Sequence, residues 1–546
     1  MAEEVELKLA LAPHDLARLP ASAMVRALAT GSGTTKRLDA TYYDTPSLTL
    51  RRHGIALRVR RDGNRLTQTL KAPLAFTASN ADDDGDGRGK GPSPSQINGN
   101  GLQHLQEFEA ELETPEPDLA LIEDGELQTL FSAESLADEL EPVFTTTFDR
   151  RTVPLEMADS TVELALDQGY IRGADDQEEI CEAELELKTG RPSRLYELAL
   201  MLARDVGFRL EGRSKAARGY QLYAAEPPTP YKAAKPVLEP GMTVAQAFTR
   251  QARSCVDQVR ANEAAVLDGR DPEGVHQMRV GLRRLRALVT TYKSVFAEEP
   301  YRYLRAELRW LQQQLGPARE WDVFLAETLA PLRNRLPSED SLELLEAEAR
   351  ALQREGYEQA RTAVTDPRTA ELLLRLELWL AEGGWRACSV PGQDDQGDQP
   401  VEPFARATLA KRAKKVTKLG RRHDTLSEGE LHRLRIQGKK LRYASEFFAG
   451  LFPKKATKRY LKALEAIQDR LGALNDAATG QRLLDDLDRR LTNRTDLKAQ
   501  GGGEALAANA TGIVLGWQAA LMDRELKAFH ATWDDFAEQK PFWKKG

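Results

Sequence analysis

Several short stretches in the first part of this chain alternate apolar side chains with charges of a single sign. Glu107, Glu109, Glu111 and Glu113 alternate with Phe108, Ala110 and Leu112. Glu182, Glu184 and Glu186 alternate with Ala183, Leu185 and Leu187, and Arg58 and Arg60 alternate with Leu57 and Val59. In a strand, successive side chains point to opposite faces. An open antiparallel sheet turns one face to water and carries mixed polar residues there. A row of one charge sign is costly unless an opposite row or a bound ion faces it. The pattern therefore constrains this region to a closed antiparallel sheet with a charged interior, which leaves room for a ligand. Its apolar exterior needs a cover, and helices are expected at 13–28, 120–131 and 193–206.

The opening strand, Glu4-Val5-Glu6-Leu7-Lys8, places Glu4, Glu6 and Lys8 on one face. Two carboxylates beside an ammonium suit a divalent cation that holds a polyanion, because Mg²⁺ binds through a few carboxylates plus substrate phosphate. Charge is unevenly divided along the 546 residues. Residues 1–225 hold 25 Lys and Arg against 39 Asp and Glu, whereas the remainder holds 52 against 45. An acidic half joined to a basic half points to two tasks, one suited to metal and one to anions. The cysteines Cys181, Cys255 and Cys388 lie far apart, which fits a reducing, cytoplasmic setting and argues against a thiolate metal site. No long uninterrupted apolar run stands out, so no membrane span is expected.

The length implies more than one domain. Residues 80–101 are almost devoid of apolar side chains and are expected to form a disordered insertion. Residues 226–241 carry five prolines and read as a linker. Beyond it the pattern turns helical, with apolar residues at helical spacing over 243–267, 301–315 and 342–363. Polar breaks at 389–403 and 493–503 read as loops.

The helical half contains a repeat. His276, Arg279, Arg283 and Arg286 match His432, Arg435, Lys439 and Arg442, each 156 positions later, and Leu315-Gly316 recurs at Leu471-Gly472. Each set lies along one helix face. Stacked cations repel one another, so an anion is the natural filler. Aromatic residues do not interleave with these stripes, which argues against stacking on nucleic-acid bases. The duplicated units are expected at about 242–388 and 402–540.

The ordered motifs of residues 1–225 resemble the CYTH domain, the triphosphate tunnel metalloenzyme family. They are Glu4-Val5-Glu6-Leu7-Lys8, Tyr42-Tyr43-Asp44-Thr45-Pro46, Leu57-Arg58-Val59-Arg60, Thr67-Gln68-Thr69-Leu70-Lys71, the Arg150/Glu163/Asp167/Gly169 set, Glu182/Glu184/Glu186, and Ser214-Lys215 with Arg218-Gly219-Tyr220. Asp44-Thr45-Pro46 also reads simply as turn chemistry. The resemblance implies an eight-stranded antiparallel tunnel that holds Mg²⁺ or Mn²⁺ on carboxylates and a linear triphosphate on basic side chains. It makes Lys8, Arg58, Arg60, Lys71, Arg150 and Lys215 the catalytic phosphate contacts, with Arg213 and Arg218 as further substrate contacts. Glu4, Glu6, Glu184 and Glu186 are the first candidate metal ligands, and Glu109, Glu111 and Glu182 share the required parity. The implied reaction is hydrolysis of tripolyphosphate to pyrophosphate and phosphate. Phe148 shares the inward parity of Arg150, an odd place for an aromatic ring.

The helical half resembles the CHAD domain, whose H-x-x-R-x-x-x-R/K-x-x-R helix occurs here twice. This implies two related four-helix bundles that bind inorganic polyphosphate along the basic stripes, and an association with polyphosphate granules. Leu315-Gly316-Pro317-Ala318-Arg319-Glu320 continues the first copy, whereas Asn475-Asp476 stands at the matching place in the second. Two other readings compete with the enzyme: a non-catalytic polyphosphate scaffold, and a tunnel enzyme acting on a nucleotide or thiamine triphosphate.

Overall fold

The computed structural model describes residues 2–73, 103–134, 136–387, 395–492 and 503–544. The expected insertion at 80–101 lies outside the described residues. The chain forms two compact units. The first comprises Met1–Pro230, Glu263–Asp268 and Val364–Gly384, and the second comprises Tyr231–Asn262, Gly269–Ala363 and Trp385–Gly546.

In the first unit, eight strands pair antiparallel into a closed barrel. They are β1 (Ala2–Leu11), β2 (Thr34–Asp44), β3 (Ala56–Asp62), β4 (Arg65–Pro73), β5 (Gln103–Leu112), β6 (Glu141–Met157), β7 (Ser160–Arg172) and β8 (Gln177–Thr189). The order is β5-β4-β3-β2-β6-β7-β8-β1, and β1 returns to pair with β5. A short β9 (Phe208–Leu210) extends the free part of the β1 edge at Leu9–Leu11. Closure gives each of the eight strands a partner on both sides over part of its length, which limits free sheet edge.

The outward side chains are the apolar ones, and helices cover them as expected. Leu57, Leu70 and Ala72 pack beneath Leu127, Leu130 and Phe131 of the Gly125–Ala133 helix. That helix starts where Asp124 accepts the N–H groups of Glu126 and Leu127 at 3.1 and 3.0 Å. Ser193–Leu202 lies over β1 and β8. The Pro367–Glu382 helix, expected within the first helical repeat, also belongs to this unit, packing on Ser193–Leu202 and β9. Its apolar residues Leu372, Leu373, Leu374, Leu376 and Leu380 spread beyond one stripe, so one neighbour cannot bury them all.

The second unit carries the duplicated helices. The first copy has Val244–Ala261, Pro272–Thr291, Glu298–Gln314 continuing into Gly316–Val323, and Asp340–Thr365. The second has Val401–Gly420, Glu428–Phe447, Lys454–Thr492 and Gly503–Ala537. The two stripe helices begin at matching caps. Asp271 accepts from the N–H of Glu273, and Ser427 forms a capping box with Glu430. One helix departs from the sequence expectation, since Ala505–Ala537 is long and apolar enough to cross a membrane by length and composition. Interspersed Asn509, Gly512, Gly516 and Gln518 hide this in a search for unbroken apolar runs. It packs along Lys454–Thr492, burying Ala507, Ala510 and Val514 while Leu506 and Leu515 stay exposed.

One glycine is fixed by barrel closure. An added Cβ at Gly169 would lie 2.1 Å from the Thr147 carbonyl oxygen and 2.5 Å from Phe148 Cα on the paired strand. Both obstacles are backbone, so Gly169→Ala should destabilise the unit by about 1–3 kcal/mol. A lowered thermal midpoint for the variant checks this.

Candidate active site

The barrel encloses a cavity of about 350 Å³. Alternation along the strands aims Glu4, Glu6 and Lys8 into it from β1, Arg58 and Arg60 from β3, and Thr69 and Lys71 from β4. Glu107 and Glu109 enter from β5, Phe148 and Arg150 from β6, and Glu184, Glu186 and Lys188 from β8. The Lys215–Tyr223 helix contributes Lys215 and Tyr220, its first turn capped by Ser214. The six expected catalytic cations are thus brought together.

Cations and carboxylates neutralise one another across the lining. Lys8 donates to Glu6 and, at 2.9 Å, to Glu184. Lys71 donates to Glu4 and lies 3.4 Å from Glu107, while Arg58 is 3.9 Å from Glu107 and Arg60 is 3.4 Å from Glu109. Arg150 grips Asp167 bidentately at 2.7 and 2.6 Å and also donates to Glu184. Burial alone would raise the Glu184 carboxyl, but Lys215, Lys8 and Arg150 outweigh it and hold Glu184 well below the usual carboxylate range.

Compensation is incomplete in two places. Burial, then Arg58 and Arg150, lowers Arg60 from its ordinary value despite Glu109, and the Nε of Arg58 is buried with no hydrogen-bond partner. Both cations are open to an anion. Burial raises the Glu186 carboxyl; Lys188, at 2.6 Å, opposes this, and the Glu4 and Glu163 carboxylates add to it. Glu186 and Glu6 are opposed across the β1–β8 pairing. Glu4, Glu6 and Glu186, each paired with a lysine, offer an all-oxygen set on two adjacent strands, the donor type a hard divalent cation takes.

Asp167, Glu182 and Glu184 also converge, with ligand atoms within 4.8 Å of one another. An ammonium already stands among them. Lys215 Nζ lies 2.7 Å from Asp167 and 3.0 Å from Glu184 and bonds Glu182. Glu182 is tied on its other side to Arg218 at 2.8 Å. Glu182 thus also anchors the helix that carries Lys215.

Other expected site residues lie elsewhere. Glu111 has the right parity but is exposed beyond the cavity, paired with Arg65. Arg218 holds Glu178 and Glu182, and Arg213 holds Glu211, so neither lines the cavity. Asp44 accepts the N–H groups of Thr45, Leu50 and Arg51 at 2.7–2.9 Å, as turn chemistry requires. Phe148 is explained by its neighbours: its ring lies 5.0 Å from Lys215 Nζ and 5.6 Å from the Arg150 guanidinium, a cation–π platform for both. Lys188 and Arg51 also line the cavity. Parity with Glu186 would have revealed Lys188, whereas Arg51 sits on the one-turn helix Thr49–Arg52 and carries no periodic signal.

In the second unit the two stripe helices pack together, and the stripes meet. Burial, then Arg283, holds Arg279 down at about 10, and burial with Arg435 and Arg283 holds Lys439 down at about 8. The Nε atoms of Arg279, Arg283 and Arg435 are buried without a hydrogen-bond partner. These groups form a cationic cluster shared by both repeats. Arg442 of the second stripe already has carboxylate partners, lying 3.0 Å from Glu446 and 3.4 Å from Glu465. The halves differ further, since Arg319 adds positive charge beside His276 whereas Asp476 offsets Arg435 and Lys439.

A closed tunnel lined by opposed acids and bases, followed in the chain by a duplicated helical unit with a cationic cluster, defines a two-module protein. Residues 2–220 match the CYTH domain family and residues 250–485 match the CHAD domain family, so the chain carries a CYTH domain followed by a CHAD domain. It is 31% identical over 230 residues to an inorganic triphosphatase of Haemophilus influenzae, a match covering 41% of this chain and 55% of the relative. The chain thus spans about half the length of the curated relative it matches. The CHAD domain from the plant Ricinus communis is matched at 31% identity and a TM-score of 0.46, over 56% of this chain and 96% of that one. HpAC1 from Hippeastrum, which has a dominant triphosphatase activity, is matched at 17% identity and a TM-score of 0.28, over 41% and 96%.

The reassignment of Arg213 is open to test. Burial would raise the Glu211 carboxyl, but Arg213 and Arg209 hold it down at about 2, below its ordinary 4.5. A depressed carboxylate contributes stability that is complete above pH 4.5 and lost as pH falls toward 2. Arg213→Ala leaves Glu211 buried with a weaker partner set and should cost about 3–5 kcal/mol of stability at neutral pH. The deficit should shrink on acidification, as read from denaturant melts at pH 7 and pH 3.

Proposed function

We propose that the tunnel is a metal-dependent inorganic triphosphatase that hydrolyses tripolyphosphate to pyrophosphate and phosphate. The carrying observation is that the acids Glu4, Glu6 and Glu186 and the cations Arg58, Arg60 and Lys71 line one cavity. The name of the Haemophilus influenzae relative supports the same reading. Tripolyphosphate carries about four to five negative charges near neutral pH, because its terminal groups titrate near phosphate's second pKa. Arg58 and Arg60 can bind its oxygens bidentately, and Lys8, Lys71 and Lys215 act as point charges. Arg150, fixed by Asp167, and Lys215, fixed by its three carboxylates, hold their positions as charge shifts during phosphoryl transfer. Glu4, Glu6 and Glu186 would hold Mg²⁺ or Mn²⁺, which supplies charge neutralisation and an activated water.

Either Glu4→Gln or Glu6→Gln should lower the turnover of tripolyphosphate about 100-fold or more, by loss of one electrostatic element. The assay is phosphate release from tripolyphosphate, pyrophosphate, ATP and long-chain polyphosphate, with Mg²⁺, Mn²⁺ or a chelator. Faster turnover of ATP than of tripolyphosphate would transfer the reading to an organic triphosphate. Absence of turnover on any of these with either metal would leave a binding scaffold.

The cationic cluster is proposed to bind inorganic polyphosphate, on the observation that three buried arginine Nε atoms there lack partners. Chain oxygens would satisfy them and relieve the repulsion between Arg279, Arg283, Arg435 and Lys439. Binding should weaken with salt through counterion release. It should also weaken with pH. Lys439, held at about 8, is charged below that value and loses its proton above it. Affinity for long-chain polyphosphate should therefore fall between pH 7 and pH 9. Lys439→Arg should flatten that slope, as read by titration calorimetry at fixed ionic strength.

A further inference from the structure

Six carboxylates and eight cations line the cavity, and two further buried carboxylates, Asp167 and Glu182, stand behind them. The interior is therefore close to neutral before any ligand enters. The cations differ in how they are held. Arg150 is fixed by Asp167, and Lys215 by Asp167 and Glu182, none of which lies in the candidate cation site. Lys8 and Lys71 are held instead by Glu6 and Glu4, two of the three carboxylates proposed above to hold a divalent cation.

We propose that Glu4 and Glu6 cage Lys71 and Lys8, so that these ammonium groups reach phosphate oxygens only once a divalent cation engages the two carboxylates. This rests on the tunnel reading above and adds regulation to it: cation and triphosphate bind with positive coupling, set by an exchange of ion-pair partners. The logic is electrostatic. A buried ammonium already paired with a carboxylate gains little from a second anion, and that anion meets the carboxylate's repulsion. Once Glu4 is engaged by a cation, the same Lys71 faces phosphate with its tighter competitor removed and, among the described residues, only the longer contact to Glu107 left of its ion pairs. Coupling of this kind is reciprocal, so triphosphate tightens cation binding by the same factor.

The cage makes a prediction that runs against ordinary expectation. Glu4→Gln removes one negative charge and frees Lys71, so it should improve triphosphate binding in a chelator even though it removes a proposed metal ligand. Glu6→Gln should do the same through Lys8. Both lysines keep a second partner, Glu107 for Lys71 and Glu184 for Lys8, so neither substitution leaves a buried ammonium unpaired. Thermal melts establish that each variant is folded.

The experiment is calorimetric titration of the full chain with a methylene-bridged, non-hydrolysable tripolyphosphate analogue, in chelator and at fixed free Mg²⁺. Arg58→Ala reports which heat belongs to the tunnel. For the unmodified chain, Mg²⁺ should tighten tunnel binding at least tenfold. In Glu4→Gln, binding in chelator should strengthen at least threefold, and the Mg²⁺ effect should shrink below threefold. Equal or weaker binding of Glu4→Gln and Glu6→Gln in chelator overturns the cage. If Arg58→Ala weakens binding while neither Mg²⁺ nor Glu4→Gln alters it, the tunnel reading stands and the cage falls. If Arg58→Ala leaves every titration unchanged, the tunnel does not hold the analogue and both readings fall together.

Discussion

Mutual neutralisation inside a closed sheet is the constraint on which the tunnel depends. An uncompensated charge buried in a fold of this size would cost several kcal/mol, more than most domains can spare. Here the rows are arranged so that few such charges remain. Glu184 alone meets Lys8, Arg150 and Lys215. Each of those cations comes from a different element: β1, β6 and the Lys215–Tyr223 helix. One carboxylate therefore joins strand register, barrel closure and helix placement. The same economy gives the cavity its chemistry, because ion pairs held in a low-dielectric interior are pre-organised for a ligand that can exchange partners with them.

The second unit follows the opposite rule. Its cationic cluster gathers Arg279, Arg283, Arg435 and Lys439 with too few acids to balance them, and burial makes the imbalance worse. The fold bears this repulsion because the apolar faces of the helices pack elsewhere. Met278, Leu282 and Leu285 are buried beneath the first stripe, and Leu434 and Leu441 beneath the second. The apolar core and the cationic stripes thus occupy different faces of the same helices.

Much of this was legible in the sequence, because a strand of period two sorts side chains without reference to any partner. Parity placed Arg58, Arg60 and Glu184 in one interior, the family resemblance added Lys71, and the repeat at an offset of 156 placed the two stripes on equivalent helices. What parity cannot show is depth along the barrel. Glu109 and Glu111 share a face, yet Glu111 lies past the rim, opposite Thr67 near the exposed end of β4. Nor can parity show competition for a carboxylate. Glu182 reads as a metal ligand, and only the fold shows Lys215, 33 positions later, bringing its ammonium to the same oxygens. The sequence-level resemblance also gave Arg213 and Arg218 a role that three-dimensional partners reassign, since Glu211, Glu178 and Glu182 bind them first. Phe148 posed the converse problem. An aromatic ring among charges is anomalous in one dimension and sensible once two cations lie over its face.

Under the proposed function, the two units represent two physical solutions to holding a phosphate chain. A cluster with permanent excess charge attracts any polyanion, without cofactor, and discriminates mainly by charge density and length. A neutral tunnel attracts weakly at long range and discriminates by what can replace each internal ion pair. Such a site rejects ligands that supply charge in the wrong places, because every displaced partner must be satisfied again. Hydrolysis belongs in the second kind of site, since bond cleavage needs cations fixed relative to the reacting atoms rather than merely abundant. Arg150 and Lys215, each locked by carboxylates outside the proposed metal set, meet that requirement, whereas the mutually repelling arginines of the cluster, short of fixed partners, do not.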